Sequence, residues 1–231
     1  ISIRDDTIMS GDITYDDIFG NHTYDSLTIT GGMNENVKDA LINTTTGDRS
    51  LNLRNGTFVF NGPDDEYQIS GWNKLSIIST AEDKPTLAKL NGDLMLSGSD
   101  KLLYISQNST LDVSGYSPLN ITIDGNMLNE GLLDFARMDG SGETDDSLHL
   151  TGNYYATGGR GPDGNVVGGD SMLRINVDAK NATADKLIVD GDVVGDTKVI
   201  LDVVGGNRLK SDILFVDCLL YTSPSPRDRQ K

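Results

Sequence analysis

Three aspartates stand at or near the ends of short segments that alternate apolar and polar residues: Asp112, Asp124 and Asp134. Cleavage of a glycosidic bond needs two carboxyl groups about 5 to 9.5 Å apart. If the segments stack on adjacent turns of a coil, these carboxylates can line up along one groove. The chain has 35 acidic residues, so such stacking also arises by chance, and Trp72 is its only tryptophan for a sugar platform. A β-helical polysaccharide lyase or glycoside hydrolase is therefore an alternative and not the leading prediction.

Two glycine-rich stretches contain residue types that bind Ca²⁺. Residues 158–166, GGRGPDGNV, nearly match a calcium-binding nonapeptide with Asp163 as the ligand, but Asn165 stands where an apolar residue belongs. Residues 139–146, DGSGETDD, lack the alternation of an EF-hand loop and hold four carboxylates: Asp139, Glu143, Asp145 and Asp146. A single imperfect copy cannot build the cage of stacked repeats, so we predict surface loops, no metal site and no cofactor. A calcium-stabilised secreted repeat protein is a third alternative.

The chain has two histidines, His22 and His149. A Ser-His-Asp relay needs a buried and oriented imidazole. His149 lies between Leu148 and Leu150, which places it on the outward face of a strand, and His22 lies in a polar stretch. We interpret both as exposed, and we predict no catalytic residue and no enzymatic activity.

Ten short segments with apolar residues two apart indicate strands that have one face on a core and one in water. They cover residues 26–30, 50–54, 74–78, 93–97, 110–114, 120–124, 147–151, 172–176, 186–190 and 198–202. Dipeptides typical of sharp turns separate them, because Asn, Asp and Gly reach positive φ at low cost. These are Asn55-Gly56, Asn61-Gly62, Asn91-Gly92, Asp124-Gly125, Asp139-Gly140, Asp163-Gly164 and Asp190-Gly191.

Alternation with tight turns is compatible with a β-sandwich as well as a solenoid, and the spacing of the inward pairs favours the solenoid. Leu27 and Ile29 are followed at equal intervals by Leu51 and Leu53 and then by Leu75 and Ile77; Leu94 and Leu96 continue the series at a shorter interval. Each circuit of a solenoid lays its inward pair over the previous one. The spacing therefore predicts coils that share one aliphatic core.

The chain is strongly acidic, with 19 Lys and Arg against 35 Asp and Glu. Nucleic-acid affinity depends on Lys and Arg that neutralise phosphates, so we expect no nucleic-acid partner. Residues 218–231, CLLYTSPSPRDRQK, contain the single cysteine and differ in character from the rest of the chain. They resemble translated library-adapter sequence and are set aside as a construction artefact, and the chain begins at Ile1 as a fragment does.

The C-terminal part of the chain resembles the pertactin-like region of bacterial autotransporter passengers. In that family a GNY…GG turn precedes a strand, and a segment (S/A)D-(K/R)-L-x-V-x-G-x-x-x-G-x-T follows; here they match residues 148–159 and 184–197. The matching positions are Asp185, Lys186, Leu187, Val189, Gly191, Gly195, Thr197, Gly205, Gly206, Ile213, Phe215 and Val216. Asp212 departs from the pattern, because the family usually has Gly there.

The resemblance implies an all-β fold, a right-handed single-stranded parallel β-helix. It divides the chain into passenger coils over residues 1–146 and a capping and autochaperone module over residues 147–217. It also implies type V secretion and a monomer on the cell surface, tethered to the outer membrane of a Gram-negative bacterium. The partners would be its own β-barrel translocator and ligands on host or other cells. The leading prediction is an adhesin-like rod whose C-terminal module nucleates folding during export.

Overall fold

The computed structural model describes residues 2–4, 25–33, 38, 41–42, 49–114, 119–136, 144–156, 171–206 and 212–218. These residues form strands joined by turns, and no α-helix occurs among them. None of the described segments is a helix long and apolar enough to span a membrane. The strands are, in chain order, β1 (Ser2–Arg4), β2 (Asp25–Gly32), β3 (Arg49–Phe60), β4 (Lys74–Ile78), β5 (Thr86–Leu90), β6 (Leu94–Met95), β7 (Leu102–Ile105), β8 (Ser109–Asp112), β9 (Asn120–Asp124), β10 (Asn126–Asn129), β11 (Leu132–Asp134), β12 (Ser147–Leu150), β13 (Tyr154–Ala156), β14 (Met172–Asp178), β15 (Thr183–Ala184), β16 (Lys186–Val189), β17 (Val193–Val194), β18 (Lys198–Val204) and β19 (Val216–Cys218).

The strands stack on three faces, which the chain visits in turn. Strand β7 pairs with β4, β8 pairs with β5, and β9 pairs with β6. Each strand of one circuit therefore lies directly above the corresponding strand of the circuit before it. All pairs formed by the described strands are parallel except the short hairpin β14–β15. The predicted fold is therefore confirmed: the protein is a parallel β-helix of about six turns.

Each face is a stack of strands in register. Face 1 contains β1, β2, the first half of β3, β4, β7, β10, β13 and β17. Face 2 contains the second half of β3, β5, β8, β11, β14 and β18. Face 3 contains β6, β9, β12, β16 and β19.

Aliphatic and aromatic side chains form continuous ladders inside the coil. The longest ladder on face 1 joins six buried side chains, one per coil: Leu27, Leu51, Leu75, Leu103, Met127 and Tyr154. Face 2 has its own ladder of Phe58, Ala88, Leu111, Leu133 and Leu173. Burial of these apolar side chains is the main favourable term of the fold.

The predicted continuation of the face 1 ladder into Leu94 and Leu96 was wrong. Leu75 is followed on that face by Leu103, and Leu94 stacks on Ile123 of face 3. The shorter interval in the sequence was a step from one face to another within one circuit. A pattern of alternation reports which side chains point inward, but it carries no information about which of three faces a strand occupies.

One predicted corner is continuous strand. Strand β3 passes through Asn55 and Gly56 without ending and so belongs to two faces, whereas the sequence predicted a strand that stops at residue 54. Asn55 adopts a φ of 49°, which an asparagine tolerates better than most residues. A Cβ atom on Gly56 would overlap the backbone of Gly31 in the coil below. Glycine is therefore required there for close stacking of two corners.

The last coil leaves its inward side chains uncovered among the described residues. Val199, Leu201 and Val203 of β18 stand directly over the buried ladder of β14, but they are 39%, 45% and 55% exposed. Among the described strands, β14 is the one that pairs with β18.

Two neighbouring leucines of β7 allow the contribution of a core side chain to stability to be measured. Leu103 is fully buried and Leu102, on the same strand, points outward and is half-buried. We expect Leu103→Ala to lower the free energy of unfolding by about 2 to 5 kcal/mol, because it leaves a cavity between two coils. Leu102→Ala, the matched control, should cost less than about 1 kcal/mol. Chemical denaturation of both variants measures this, and equal losses would contradict the assignment of the ladder.

Candidate functional site

Two of the three aspartates that the sequence singled out lie side by side. Asp112 at the end of β8 is in register with Asp134 at the end of β11, on the outer side of face 2. Asp124 belongs to face 3, so the prediction that all three stack was wrong for this residue. The structure thus brings one pair of carboxylates together on adjacent coils.

The carboxylates of this pair are buried and already bonded. Asp112 and Asp134 are 8% and 2% exposed. Oδ1 of Asp112 accepts hydrogen bonds from the amide and the hydroxyl of Ser114 at 2.9 and 2.7 Å, and Oδ1 of Asp134 accepts one from the amide of Ala136 at 2.9 Å. Each aspartate therefore closes the turn that follows its own strand.

Basic side chains lie on either side of the two aspartates and complete a row of charged groups, which we call the charged ladder: Lys89, Asp112, Asp134, Arg174 and Asp202. Lys89 Nζ lies 3.5 Å from Oδ2 of Asp112, and Arg174 Nη1 lies 3.6 Å from Oδ2 of Asp134. Arg174 also binds Oδ2 of Asp202 through Nε and Nη2, at 2.8 and 2.7 Å. The ladder runs across five coils, and its ion pairs join Lys89 to Asp112 and join Arg174 to both Asp134 and Asp202, whereas Asp112 and Asp134 have like charge.

Burial raises the pKa of Asp134 to about 6. The neighbouring carboxylates of Asp112 and Asp202 act in the same direction, whereas the amide of Ala136 and the guanidinium of Arg174 oppose the rise. A general acid often has a carboxyl pKa of this kind, but it must also reach the bond that it protonates. With its oxygens turned to Ala136 and Arg174, Asp134 serves to hold coils in register.

Asp124 belongs to a separate polar cluster on the surface. Its two carboxylate oxygens bind Lys101 Nζ at 2.6 Å and the hydroxyl of Thr151 at 3.0 Å. The hydrogen bond from Lys101 is the main reason that the pKa of Asp124 is lowered. The cluster joins neighbouring coils in the same way as the charged ladder, at the edge between faces 3 and 1.

His149 lies on the outward side of face 3, as the alternation predicted, while His22 lies outside the described residues. Nε2 of His149 is 2.8 Å from Oδ1 of Asp190 on the next coil, and both side chains are more than a third exposed. No serine or cysteine is bonded to this pair among the described contacts. The arrangement is a surface ion pair between coils when the imidazole is protonated.

Asp163 and the rest of residues 158–166 lie outside the described residues, as do Asp139 and Glu143 of the second acidic stretch. Asp146, at the end of that stretch, is buried and binds the amide of Leu119 at 2.7 Å. Within the described part of the chain, no group of three His, Cys, Asp or Glu residues is placed to hold a metal ion.

Trp72 is fully buried, and its indole Nε1 donates a hydrogen bond to the carbonyl oxygen of Leu41 at 2.8 Å. It therefore forms part of the core and offers no ring to a sugar on the surface. Tyr104 is a half-buried aromatic on the outer side of face 1, and its hydroxyl donates a hydrogen bond to Glu130 at 2.6 Å.

Asp185 is the most deeply buried carboxyl group of the described residues, with no solvent exposure. Its oxygens accept hydrogen bonds from the amides of Asn176 at 2.9 Å and Asp146 at 3.2 Å. It thus connects the start of β16 to β14 and to the coil below. Burial raises its pKa to about 7, with a further contribution from the carboxylates of Asp146 and Asp145, and the two amides oppose the rise. Chemical patterns in the sequence did not reveal this site; the resemblance alone pointed to Asp185.

Other positions of the pertactin-like segment also join the last coils. The hydroxyls of Thr197, Tyr154 and Ser171 lie within 3.2 to 3.3 Å of one another. Gly195 and Gly205 adopt φ values of 98° and 70°, which favour glycine over residues with a Cβ atom. The residues of this segment thus serve the packing and turns of the final coils.

A groove of about 580 Å³ lies beside this segment, between face 3 and the β15 hairpin. Its polar wall includes Asn120, Ser147 and Lys186, which stack in register along face 3, and Ile213 and Leu214 form an apolar wall. Asp145 and Asp146 also line the groove, so it offers hydrogen-bonding groups, charged groups of both signs and apolar surface to a ligand.

Comparison with protein-family models, with curated proteins and with solved structures finds no match to this chain.

The raised pKa of Asp185 predicts how stability depends on pH. The carboxyl group stays protonated in the fold up to about pH 7, whereas in the unfolded chain it ionises near its ordinary value of 3.8. Its contribution to stability is therefore complete at acid pH and is lost as the pH rises from about 4 to 7, by an amount on the order of 4 kcal/mol.

Replacement of Asp185 by Asn removes this titration, so the free energy of unfolding of Asp185→Asn should fall less steeply over that range. Urea unfolding at several pH values gives the slope of the unfolding free energy against pH. The slopes of the variants are compared, and not their absolute stabilities, because the introduced side-chain amide also weakens the two hydrogen bonds from the backbone amides. Asp100 is exposed, and Asp100→Asn removes the same charge as Asp185→Asn. This control variant should keep the slope of the unaltered protein. A slope unchanged in Asp185→Asn would contradict the prediction.

Proposed function

We propose that this chain is a passenger region of an autotransporter: an adhesin-like rod on the surface of a Gram-negative bacterium, whose C-terminal module, residues 147–217, nucleates folding. The observation that carries the proposal is that residues of the pertactin-like segment hold the final coils of a parallel β-helix. Asp185 bonds β14, β16 and the preceding coil together, and Thr197 joins the polar cluster of Tyr154 and Ser171.

The composition supports export as an unfolded chain. With one cysteine, the polypeptide cannot form an internal disulfide in an oxidising compartment, so no covalent loop obstructs a narrow translocator. The net charge of −16 favours solubility and weak adhesion to anionic surfaces. The partner in this proposal is the chain's own outer-membrane β-barrel translocator.

The coil architecture supports folding from one end. Each coil makes its backbone hydrogen bonds with the coils above and below, so a formed coil is a template for the next. A module whose strands are joined by several side-chain hydrogen bonds, as those of residues 147–217 are, is suited to fold first and to nucleate the other coils. Ligands on host or other cells would then bind the lateral surfaces of the finished rod, and the groove beside β16 is a described concave surface of that kind.

Export is the direct test of the proposal. The chain, with Cys218→Ser, is placed between a signal peptide and an outer-membrane β-barrel translocator in a Gram-negative host. We expect it to reach the surface, where antibody binding to intact cells detects it and added protease degrades it slowly. Retention in the periplasm with a translocator that exports a known passenger would contradict the proposal.

A disulfide variant sharpens this test. Asn52 and Ser76 are in-register neighbours on the outer side of face 1, at a distance that a disulfide spans. The double variant Asn52→Cys and Ser76→Cys should stall before the outer membrane and reach the surface when reductant is added. Asn52→Cys alone is the matched control and should be exported under both conditions. Equal export of the double variant with and without reductant would contradict transport through a narrow pore.

The nucleating role makes a separate prediction about folding rates. Removal of residues 170–217 should slow refolding by about tenfold or more, because it takes away the interactions that form first. Removal of residues 1–48, a segment of equal length, should change the refolding rate much less. Stopped-flow refolding from denaturant, followed by circular dichroism, compares the two. If the chain without residues 170–217 still folds cooperatively at the original rate, the C-terminal module is not the nucleus.

A further inference from the structure

We propose that the charged ladder is the site of a covalent modification: the side chains of Lys89 and Asp112 condense to an amide bond that joins two adjacent coils, and Asp134 transfers the proton. This inference does not depend on the proposed function. The three residues belong to β5, β8 and β11, each of which pairs with a described strand on both sides. The site therefore lies inside the stack of coils and away from its ends.

The two groups that would react are direct neighbours. Lys89 and Asp112 are in register on the outer side of face 2, so their backbones lie one strand spacing apart, about 4.8 Å. Nζ of Lys89 is 3.5 Å from Oδ2 of Asp112. Groups that are poised to react lie about 3 to 3.5 Å apart. A small rotation of the lysine side chain therefore brings Nζ to the carboxyl carbon that bears Oδ2.

The carboxyl group of Asp112 is held in a fixed orientation for this attack. Its Oδ1 accepts hydrogen bonds from the amide and the hydroxyl of Ser114, at 2.9 and 2.7 Å, which leaves Oδ2 on the side of Lys89. When an amine adds to the carboxyl carbon, negative charge develops on the oxygen that is retained. Two donors already placed on Oδ1 stabilise that charge. In the product, Oδ1 is the amide oxygen and keeps both hydrogen bonds.

Asp134 supplies a carboxyl group that holds a proton beside the reacting pair. It is in register with Asp112 on the next coil and is 2% exposed. Burial, as described above, keeps this carboxyl protonated up to about pH 6. The bond in question is on the neighbouring coil and not on an external substrate, so Asp134 can act on it and still hold the coils in register.

The reaction balances without any further reactant. The ammonium group of Lys89 gives one proton to Oδ2 of Asp112, and the neutral amine then adds to the carboxyl carbon and forms the C–N bond. Asp134 donates its proton to Oδ2, the C–Oδ2 bond breaks, and water leaves. The nitrogen returns a proton to Asp134 through the released water. The sum is one ammonium and one carboxylate that become one amide and one water, with Asp134 unchanged.

The fold favours the condensed product for two reasons. The coils hold the two groups together, so the reaction proceeds at the high effective concentration of an intramolecular step. Condensation also removes two charges from a largely buried position, where the side chains of Lys89 and Asp112 are 27% and 12% exposed. Because the two groups meet only when β5 and β8 are stacked, the bond forms after folding.

A second ion pair of the same residue types serves as an internal control. Nζ of Lys101 is closer to Oδ2 of Asp124, at 2.6 Å, but both side chains are 29% exposed. The in-register neighbour of Asp124 on the adjacent coil is Met95, and its other recorded contact is the hydroxyl of Thr151, so no carboxyl group is recorded beside this pair among the described residues. We expect Lys101 and Asp124 to remain an ion pair.

Mass spectrometry of the folded, unaltered chain tests the proposal. The intact mass should be lower than the mass of the sequence by one water, and a tryptic digest should contain a branched peptide in which Lys89 is uncleaved and joined to Asp112. A succinimide at an Asp-Gly step loses the same mass but is opened by mild base, whereas the amide is not. The full mass of the sequence, or a loss of water that mild base reverses, would overturn the proposal.

Three variants assign the roles. Lys89→Arg keeps the charge but removes the nucleophile and should show the full mass of its sequence. Asp134→Asn should slow formation of the bond by about a hundredfold or more, because it removes the proton transfer. Lys101→Arg, the matched control, should lose water as the unaltered chain does. Circular dichroism verifies that each variant is folded. Loss of water in folded Lys89→Arg, or equal bond formation in folded Asp134→Asn, would contradict the mechanism.

Discussion

Every coil of this protein depends on its neighbours for its backbone hydrogen bonds. Apart from the β14–β15 hairpin, the described strands of one circuit lie on three different faces and do not pair with one another, so their amides and carbonyls find partners in the circuits above and below. The inward side chains obey the same rule, since Leu103 is buried because Leu75 and Met127 cover it from both sides. Ordering a single coil costs more backbone entropy than its own contacts return. Stability therefore belongs to the stack, and the ends of the stack are its weakest places.

Polar groups in this fold follow the same constraint. The charged ladder links successive strands of face 2, and Asp185 and Asp146 each bind an amide of the coil below. A carboxylate fixes the register of two coils more narrowly than aliphatic contacts do, because its hydrogen bonds have a required geometry. Burial destabilises the ionised form of these carboxyl groups, and it therefore raises the pKa values of Asp134 and Asp185. Carboxylates that seemed suited to chemistry are thus part of the framework that sets the spacing of coils.

The sequence predicted the class of the fold well and the site incompletely. Alternation identifies inward side chains, so each of the ten predicted segments overlaps a strand. It misses β5, β7, β10 and β11, where the outward positions include apolar residues such as Leu102, Leu128 and Leu132 or where the inward position is a small residue, Ala88. It also misassigned Leu94, because the length of a corner decides the face and corners have no period. Asp112 and Asp134 were placed together correctly, but the basic groups that bind them, Lys89 and Arg174, come from other coils, which no local pattern specifies.

The one-dimensional order of the contacts governs how the molecule responds to a pull. Force applied between the first and last coils acts on the inter-coil hydrogen bonds along their own direction and loads the terminal coil first, because that coil has one neighbour and the inner coils have two. The rod should then lose its circuits singly from an end, each loss lengthening the molecule by one circuit of chain. Such a molecule unfolds in steps, and each lost coil can refold on the coils that remain.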